Sequence, residues 1–327
     1  MCIRDSYRVI TNFLRCFFLY IVAGIVSHFV HNVYFRNVWL VAERGVDARD
    51  NGYHFFRFLN AEHPEINSIY IMDRSSADTD RIAKIGKYVG YGSFKHYILL
   101  HKADYLISTH IMGFTPCPEL FLDLEKRTKF RLKGKKVFLQ HGIIKDKQSG
   151  LMADTVNLDL FICGAKPEYD YIKKNFGFKS GVVQYTGLAR YDALPLNQTT
   201  KKQILVMPTW RKWLNGLSKE KFVQTEYYKQ YSELLSNEKL INHLREGGWN
   251  IVFYPHFEFQ KFSDTFEGND VVTIADFTHF DVQELLIESR ILVTDYSSVC
   301  FDFCYMGKTV IFFQFDKEDF SKNHRCV

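Results

Sequence analysis

Polar clusters in this sequence follow short apolar runs, and several hold residue types that handle phosphate or protons. Asp295-Tyr296-Ser297-Ser298 comes after the run 291–294 and before a helix-like stretch. Two hydroxyls and backbone N–H groups at a helix N-terminus would stabilise a phosphate there, helped by the helix dipole. Taken alone, that motif reads more plainly as a helix cap by Asp295 or Ser297. His141-Gly142 follows Lys136 to Gln140. An imidazole in that place can take a proton from a hydroxyl near neutral pH, and the glycine would let the backbone turn sharply. Pro208-Thr209-Trp210-Arg211 follows 203–207, where Arg211 would grip a phosphate bidentately with Trp210 packed behind it. Pro255-His256 follows 250–254 and supplies a second histidine. Each has an ordinary alternative: a cap, a loop histidine bonded to backbone, a surface arginine stacked on tryptophan. Their recurrence at one kind of position favours a phosphate-handling cleft, because ligands of open α/β sheets collect beyond the carboxyl ends of strands. Residues 187–192, Gly-Leu-Ala-Arg-Tyr-Asp, read as a hinge or a cleft wall.

Those positions require an alternating scaffold. In the first half, strands are expected at 37–42, 68–72, 105–108, 136–139 and 161–163, with helices at 51–60, 80–88 and 166–176. A polar stretch, 196–200, separates this from a second half with strands at 203–207, 250–254, 271–274, 291–294 and 309–315. Helices are expected there at 225–246 and 282–289. Strand–helix alternation of this kind predicts parallel sheets. The expected fold class is α/β, two Rossmann-like domains facing a cleft, 36–196 and 201–327.

With 327 residues the chain is long enough for two cores. At 46% hydrophobic and 24% charged it is globular rather than disordered. The net charge of +5 is mild, and no block of Lys and Arg marks a nucleic-acid binder. Cysteines 2, 16, 117, 163, 300, 304 and 326 lack metal-ligand spacing, so they read as reduced, structural and cytosolic, with no metal site. Residues 1–6, MCIRDS, read as adapter-derived sequence and are set aside. Within 7–35, the apolar stretch 16–30 is short of the roughly 20 residues a spanning helix needs. Behind Arg4, Arg8 and Arg15 it is either an interfacial anchor or a helix buried in the first domain. The chain stops soon after a strand, where a doubly wound domain would continue with a helix, so truncation is expected.

Together, His141-Gly142, Thr186-Gly187-Leu188-Ala189-Arg190-Tyr191-Asp192, Pro208-Thr209-Trp210-Arg211, Pro255-His256 and the run Asp295 to Phe303 resemble the CDP-glycerol glycerophosphotransferase family. The similarity extends from about Trp39 onward in the family's order. The stretch 39–51, WLVAERGVDARDN, resembles the start of the family's catalytic unit. The resemblance implies a GT-B fold and transfer of glycerol phosphate from CDP-glycerol to a hydroxyl of a lipid-linked glycerol-phosphate polymer, releasing CMP. It implies an acceptor-side first domain, a donor-binding second domain, no cofactor or metal, and peripheral association with the cytoplasmic face of the membrane. By the same resemblance His141 is the general base, and His256 belongs to the catalytic set through the donor's phosphates. Arg211 also contacts those phosphates, Ser297 and Ser298 bind the diphosphate, and Gly142, Asp295 and Asp302 line the substrate site. Ile143-Ile144-Lys145 departs from the Thr-Pro-Leu-Lys run of many members, which bears on acceptor choice. The alternatives are a CDP-ribitol-dependent transferase, a sugar-nucleotide glycosyltransferase, and a nucleotide-binding scaffold.

Overall fold

The computed structural model describes residues 3–196 and 198–323, with side chains described from residue 10 onward. Met1, Cys2 and Cys326 lie outside it, as does Asn197 of the polar stretch between the halves. The chain divides into two compact units, Met1–Ala193 and Leu194–Val327.

The first unit runs α1 (Ile3–Phe29), β1 (Val38–Ala42), α2 (Asn51–Glu62), β2 (Asn67–Met72), α3 (Thr79–Ala83), β3 (Tyr88–Gly90), α4 (Phe94–Lys102), β4 (Ala103–Ser108), α5 (Pro118–Arg127), β5 (Lys135–Phe138), β6 (Leu160–Cys163), α6 (Lys166–Asn175) and β7 (Val183–Tyr185). Its strands form one sheet in the order β3-β2-β1-β4-β5-β6-β7, parallel throughout. Successive side chains of a strand point to opposite faces. Val38, Leu40, Ile69 and Ile71 accordingly meet α4 and α5 on one face, while Val41, Tyr70 and Met72 meet α2 and α3 on the other.

The second unit runs β8 (Gln203–Val206), α7 (Lys219–Phe222), α8 (Glu226–Ser236), α9 (Glu238–Gly247), β9 (Asn250–Phe253), β10 (Val272–Ile274), α10 (Val282–Glu288), β11 (Ile291–Thr294), α11 (Val299–Tyr305), β12 (Thr309–Phe312) and α12 (Lys317–Asn323). Its sheet order is β10-β9-β8-β11-β12, again all parallel. Both sheets contain the doubly wound arrangement, with the order reversing between β1 and β4 and between β8 and β11. Those are the switch points where an open α/β sheet accepts ligands.

Several expectations need amendment. The region 80–88 is not one helix: α3 ends at Ala83 and Tyr88 opens β3. Helices α4 and α5 and strand β7 went unforeseen. The stretch 225–246 is two helices, because Asn237 leaves helical geometry (φ −64°, ψ 105°) and its side chain accepts from Leu240 N–H at 2.9 Å. The strand at 309–315 ends at Phe312, and a helix, α12, does follow it.

The helix that carries the apolar segment begins well before it, since residues 3–6 continue into α1. Cys16, Tyr20, Ala23 and Ser27 form one buried stripe. It lies in the core with α4 and α5, where the Tyr20 carbonyl accepts from His101 Nε2 at 2.8 Å. Ile10, Leu14, Phe18, Ile21, Ile25 and Phe29 form a second stripe, exposed. At 100° per residue the two stripes lie on opposite sides of the helix.

Candidate active site

The first unit's chemistry gathers past the ends of β1, β4 and β5. Gln140 sits in the left-handed region at φ 63°, a conformation uncommon for a residue with a Cβ and held only where its surroundings insist. Here they do. Asn51 Nδ2 donates to the Gln140 carbonyl at 2.8 Å, and Gln140 Nε2 donates to Glu168 Oε1 at 3.0 Å and to the Ile162 carbonyl at 2.9 Å. The Glu168 carboxylate, buried, also accepts from Ile144 N–H and Gly164 N–H. The sharp turn expected at Gly142 is therefore made one residue before the histidine. Gly142 is buried and is not among the glycines with positive φ.

This turn delivers His141 to solvent. Its Nδ1 lies 3.4 Å from the Thr109 carbonyl. A carbonyl only accepts, so a hydrogen bond at this contact calls for the proton on Nδ1 and the lone pair on Nε2. The His141 carbonyl accepts from Arg190 Nη1 at 3.1 Å, and the same nitrogen pairs with Asp50 at 2.7 Å. Arg190 N–H in turn donates to Asn51 Oδ1 at 3.0 Å. The segment expected to be a hinge or cleft wall thus braces the histidine loop. Asn51, Glu168 and Arg190 were not foreseen in this role, since each acts across a long stretch of chain. Beside them Glu43 is buried and accepts three backbone N–H groups at the start of α2. Burial, then Asp50 and Asp47, push its carboxyl up to about 8.

The second unit places its residues at the β8/β11 switch point and beyond β9. Asp295, fully buried, accepts from Thr209 N–H at 2.9 Å and Tyr296 N–H at 2.6 Å, tying the ends of β8 and β11 together. Its other oxygen meets Arg211 Nη1 at 2.8 Å and the Tyr231 hydroxyl at 3.3 Å. Arg211 is fully buried. It also forks onto Asp316 at 2.6 and 3.0 Å, donates to the Thr209 carbonyl at 2.6 Å, and lies within 5.3 Å of the ring centres of Tyr227, Tyr296 and Phe320. Burial would lower its pKa, but Asp316 and Asp295 outweigh that and keep it charged. The expectation of a phosphate-gripping Arg211 does not fit this geometry, which makes it an interior ion-pair hub.

Ser297 and Ser298 stand half-buried before α11. Ser298 occupies the cap position without a side-chain cap bond, and Ser297 Oγ makes only a long one, 3.4 Å from Val299 N–H. Of the two residues offered as a cap, Ser297 therefore caps only weakly. Asp302 is buried in the first turn of α11. His256, just beyond β9, accepts from Glu258 N–H through Nδ1 at 3.3 Å, so its proton sits on Nε2. It stacks on Trp210 at 5.9 Å. The two contacts call for opposite tautomers: an acceptor Nε2 on His141, a donor Nε2 on His256.

Two doubly wound parallel sheets, with an exposed histidine past a strand end of one and two half-buried serines past a strand end of the other, define a Rossmann-like α/β protein. The chain belongs to the CDP-glycerol:poly(glycerophosphate) glycerophosphotransferase family, whose model matches residues 25–327. It is 34% identical over 310 residues to the minor teichoic acid biosynthesis protein GgaB of Bacillus subtilis, covering 90% of this chain and 34% of that protein. It is 28% identical over 180 residues to the teichoic acid glycerol-phosphate primase of Bacillus subtilis, covering 52% of this chain and 43% of that one. The chain thus spans about a third of the first of these relatives and about two fifths of the second. Among solved structures, the wall teichoic acid polymerase TagF superposes with a TM-score of 0.64 at 16% identity, over 99% of this chain and 83% of that one. At that identity the likeness shows the fold.

Proposed function

We propose that this chain transfers glycerol phosphate from CDP-glycerol to a hydroxyl of a teichoic-acid-type glycerol-phosphate polymer. The acceptor oxygen attacks the β-phosphorus, the bond from that phosphorus to the bridging oxygen breaks, and CMP leaves with that oxygen. The hydroxyl proton passes to His141 Nε2. The observation that carries the base assignment is the Nδ1 contact of His141 with the Thr109 carbonyl, which leaves Nε2 as the acceptor. The reaction rests mainly on positioning and electrostatic stabilisation of the donor's diphosphate as CMP departs from it. His256 Nε2–H, the Ser297 and Ser298 hydroxyls and the start of α11 supply donors for it. Asp295 and Arg211 serve indirectly, by holding the loop that presents the serines.

We also propose peripheral attachment to the inner face of the membrane through α1. By length and apolarity Ile10–Phe29 could cross a bilayer. Its buried stripe argues instead for a helix lying on the surface, with the exposed stripe in the lipid and a lipid-linked acceptor nearby.

CMP release from CDP-glycerol with a glycerol-phosphate-primed lipid acceptor tests the reaction. Acceptor-dependent release should fall by about 10³-fold or more in His141→Ala while donor binding persists. Release with CDP-ribitol or a sugar nucleotide, but not CDP-glycerol, would keep the fold and change the donor. Undiminished turnover in His141→Ala would remove the base assignment.

A further inference from the structure

A second histidine stands beside the first. His110 lies two residues past β4 and His141 three past β5, on neighbouring strands that pair Ser108 with Phe138. Their rings are parallel to within 13°, with centroids 4.7 Å apart. Thr109, fully buried, is keyed to both: its carbonyl meets His141 Nδ1 and its hydroxyl meets His110 Nδ1 at 2.9 Å.

His110 is much the more firmly held. Its N–H donates to Ser108 Oγ at 3.1 Å, Ser108 donates to the Glu43 carbonyl at 3.1 Å, and its own carbonyl accepts from Gly113 N–H at 3.0 Å. Gly113 has no room for a side chain, since a Cβ there would lie 2.3 Å from the Glu43 carbonyl oxygen. Among the described residues, the exposed His141 ring has one hydrogen-bond contact, at Nδ1, and at 3.4 Å it is too long to fix a ring alone. An imidazole in water carries its proton mostly on Nε2, the wrong nitrogen for a base that works through Nε2.

We propose that His110 is the positioning residue for His141: its ring packs flat against the base, keeps that ring's edge on the Thr109 carbonyl, and so holds the proton on Nδ1 and the lone pair on Nε2. The proposal rests on the reading of His141 as the base. A flat neutral neighbour also suits the step itself, because the imidazolium formed when His141 takes the proton lies over an aromatic face, which attracts cations. Burial, then His141 and Arg44, push the His110 pKa down to about 4, so His110 stays neutral while this happens. Asp47, which also faces it, acts weakly the other way. Aromatic shape is what the role needs, so phenylalanine should serve better than a small or flexible polar residue.

The test combines side-chain ¹⁵N NMR of histidines in the full chain, recorded in alkaline buffer, with CMP-release kinetics on CDP-glycerol. Wild type should show His141 protonated on Nδ1. His110→Ala and His110→Gln should both move the proton toward Nε2 and lower kcat by about 10-fold or more, with donor KM changed less than about twofold. His110→Phe should recover the Nδ1–H form and most of the lost rate. Because alanine alone could disturb the loop, glutamine and phenylalanine carry the decision. Wild-type tautomer and kcat in His110→Gln would overturn the proposal, as would a phenylalanine variant no better than glutamine. Full turnover in His141→Ala would instead overturn the base reading, leaving the tautomer measurement to report on the stack alone.

Discussion

With Asp295 and Asp316 both on its guanidinium and no exposed surface, Arg211 balances the charge in the interior of the C-terminal unit. Removing one partner of such a buried set strands the others without a counter-ion, at a cost of about 3–5 kcal/mol. Arg211→Met should therefore lower the urea midpoint of this unit sharply, followed through Trp210, Trp213 and Trp249. Arg211→Lys should recover only part, because an ammonium cannot fork onto Asp316 and reach Asp295 at once. A methionine variant of unchanged stability but weakened donor binding would restore the phosphate-ligand role. The residue type announced affinity for an anion. Which anion was decided by a loop 105 residues later that brings Asp316 to it.

Helix boundaries in this chain follow capping groups more than propensity. Asn237 ends α8 and caps α9, so Asn237→Ala should cost about 1 kcal/mol, the usual loss for a deleted cap, measurable in thermal unfolding. The opposite change, a merged helix, would swing the apolar faces of α8 and α9 out of register with a shared core. Helix α1 poses a different problem, being apolar on both sides. If its outer stripe meets lipid, the full chain should sediment with anionic vesicles, and replacing Leu14, Phe18 and Ile25 by serine should release it without unfolding the first unit. Equal sedimentation before and after that change would remove the anchor. Sequence offered two readings of the segment, anchor or core helix, and the structure assigns one stripe to the core while leaving the other exposed.

Across the whole molecule, buried titratable groups in the first unit set opposing pH responses. His96 and His110 are held down to about 4 from 6.5, mainly by burial. Between those values the unfolded chain binds protons the fold refuses, so stability rises with pH up to 6.5. Glu43, raised from 4.5 to about 8, keeps a proton the unfolded chain has lost, so its contribution falls over that range. Below 6.5 the two histidines, joined by His101, which burial also lowers, outweigh Glu43 and its raised neighbour Asp50; from 6.5 to 8 Glu43 dominates this unit. Amide exchange in β1 and β2 should therefore be slowest, after correction for intrinsic rates, near pH 6.5; protection climbing steadily to pH 8 would contradict this. The alternation of apolar runs and polar ends by itself determined two parallel sheets and put His141, His256, Ser297 and Ser298 beyond strand ends, because strand periodicity and position along a strand are local properties of a chain. Edge strands β3 and β7, three residues each, were too short to show a period. Only the tertiary structure decided that Arg211 faces inward, that Gln140 takes the strained turn, and that His110 lies flat on His141. Each depends on which distant segments the sheet order makes neighbours, and a parallel sheet pairs strands that are far apart in sequence.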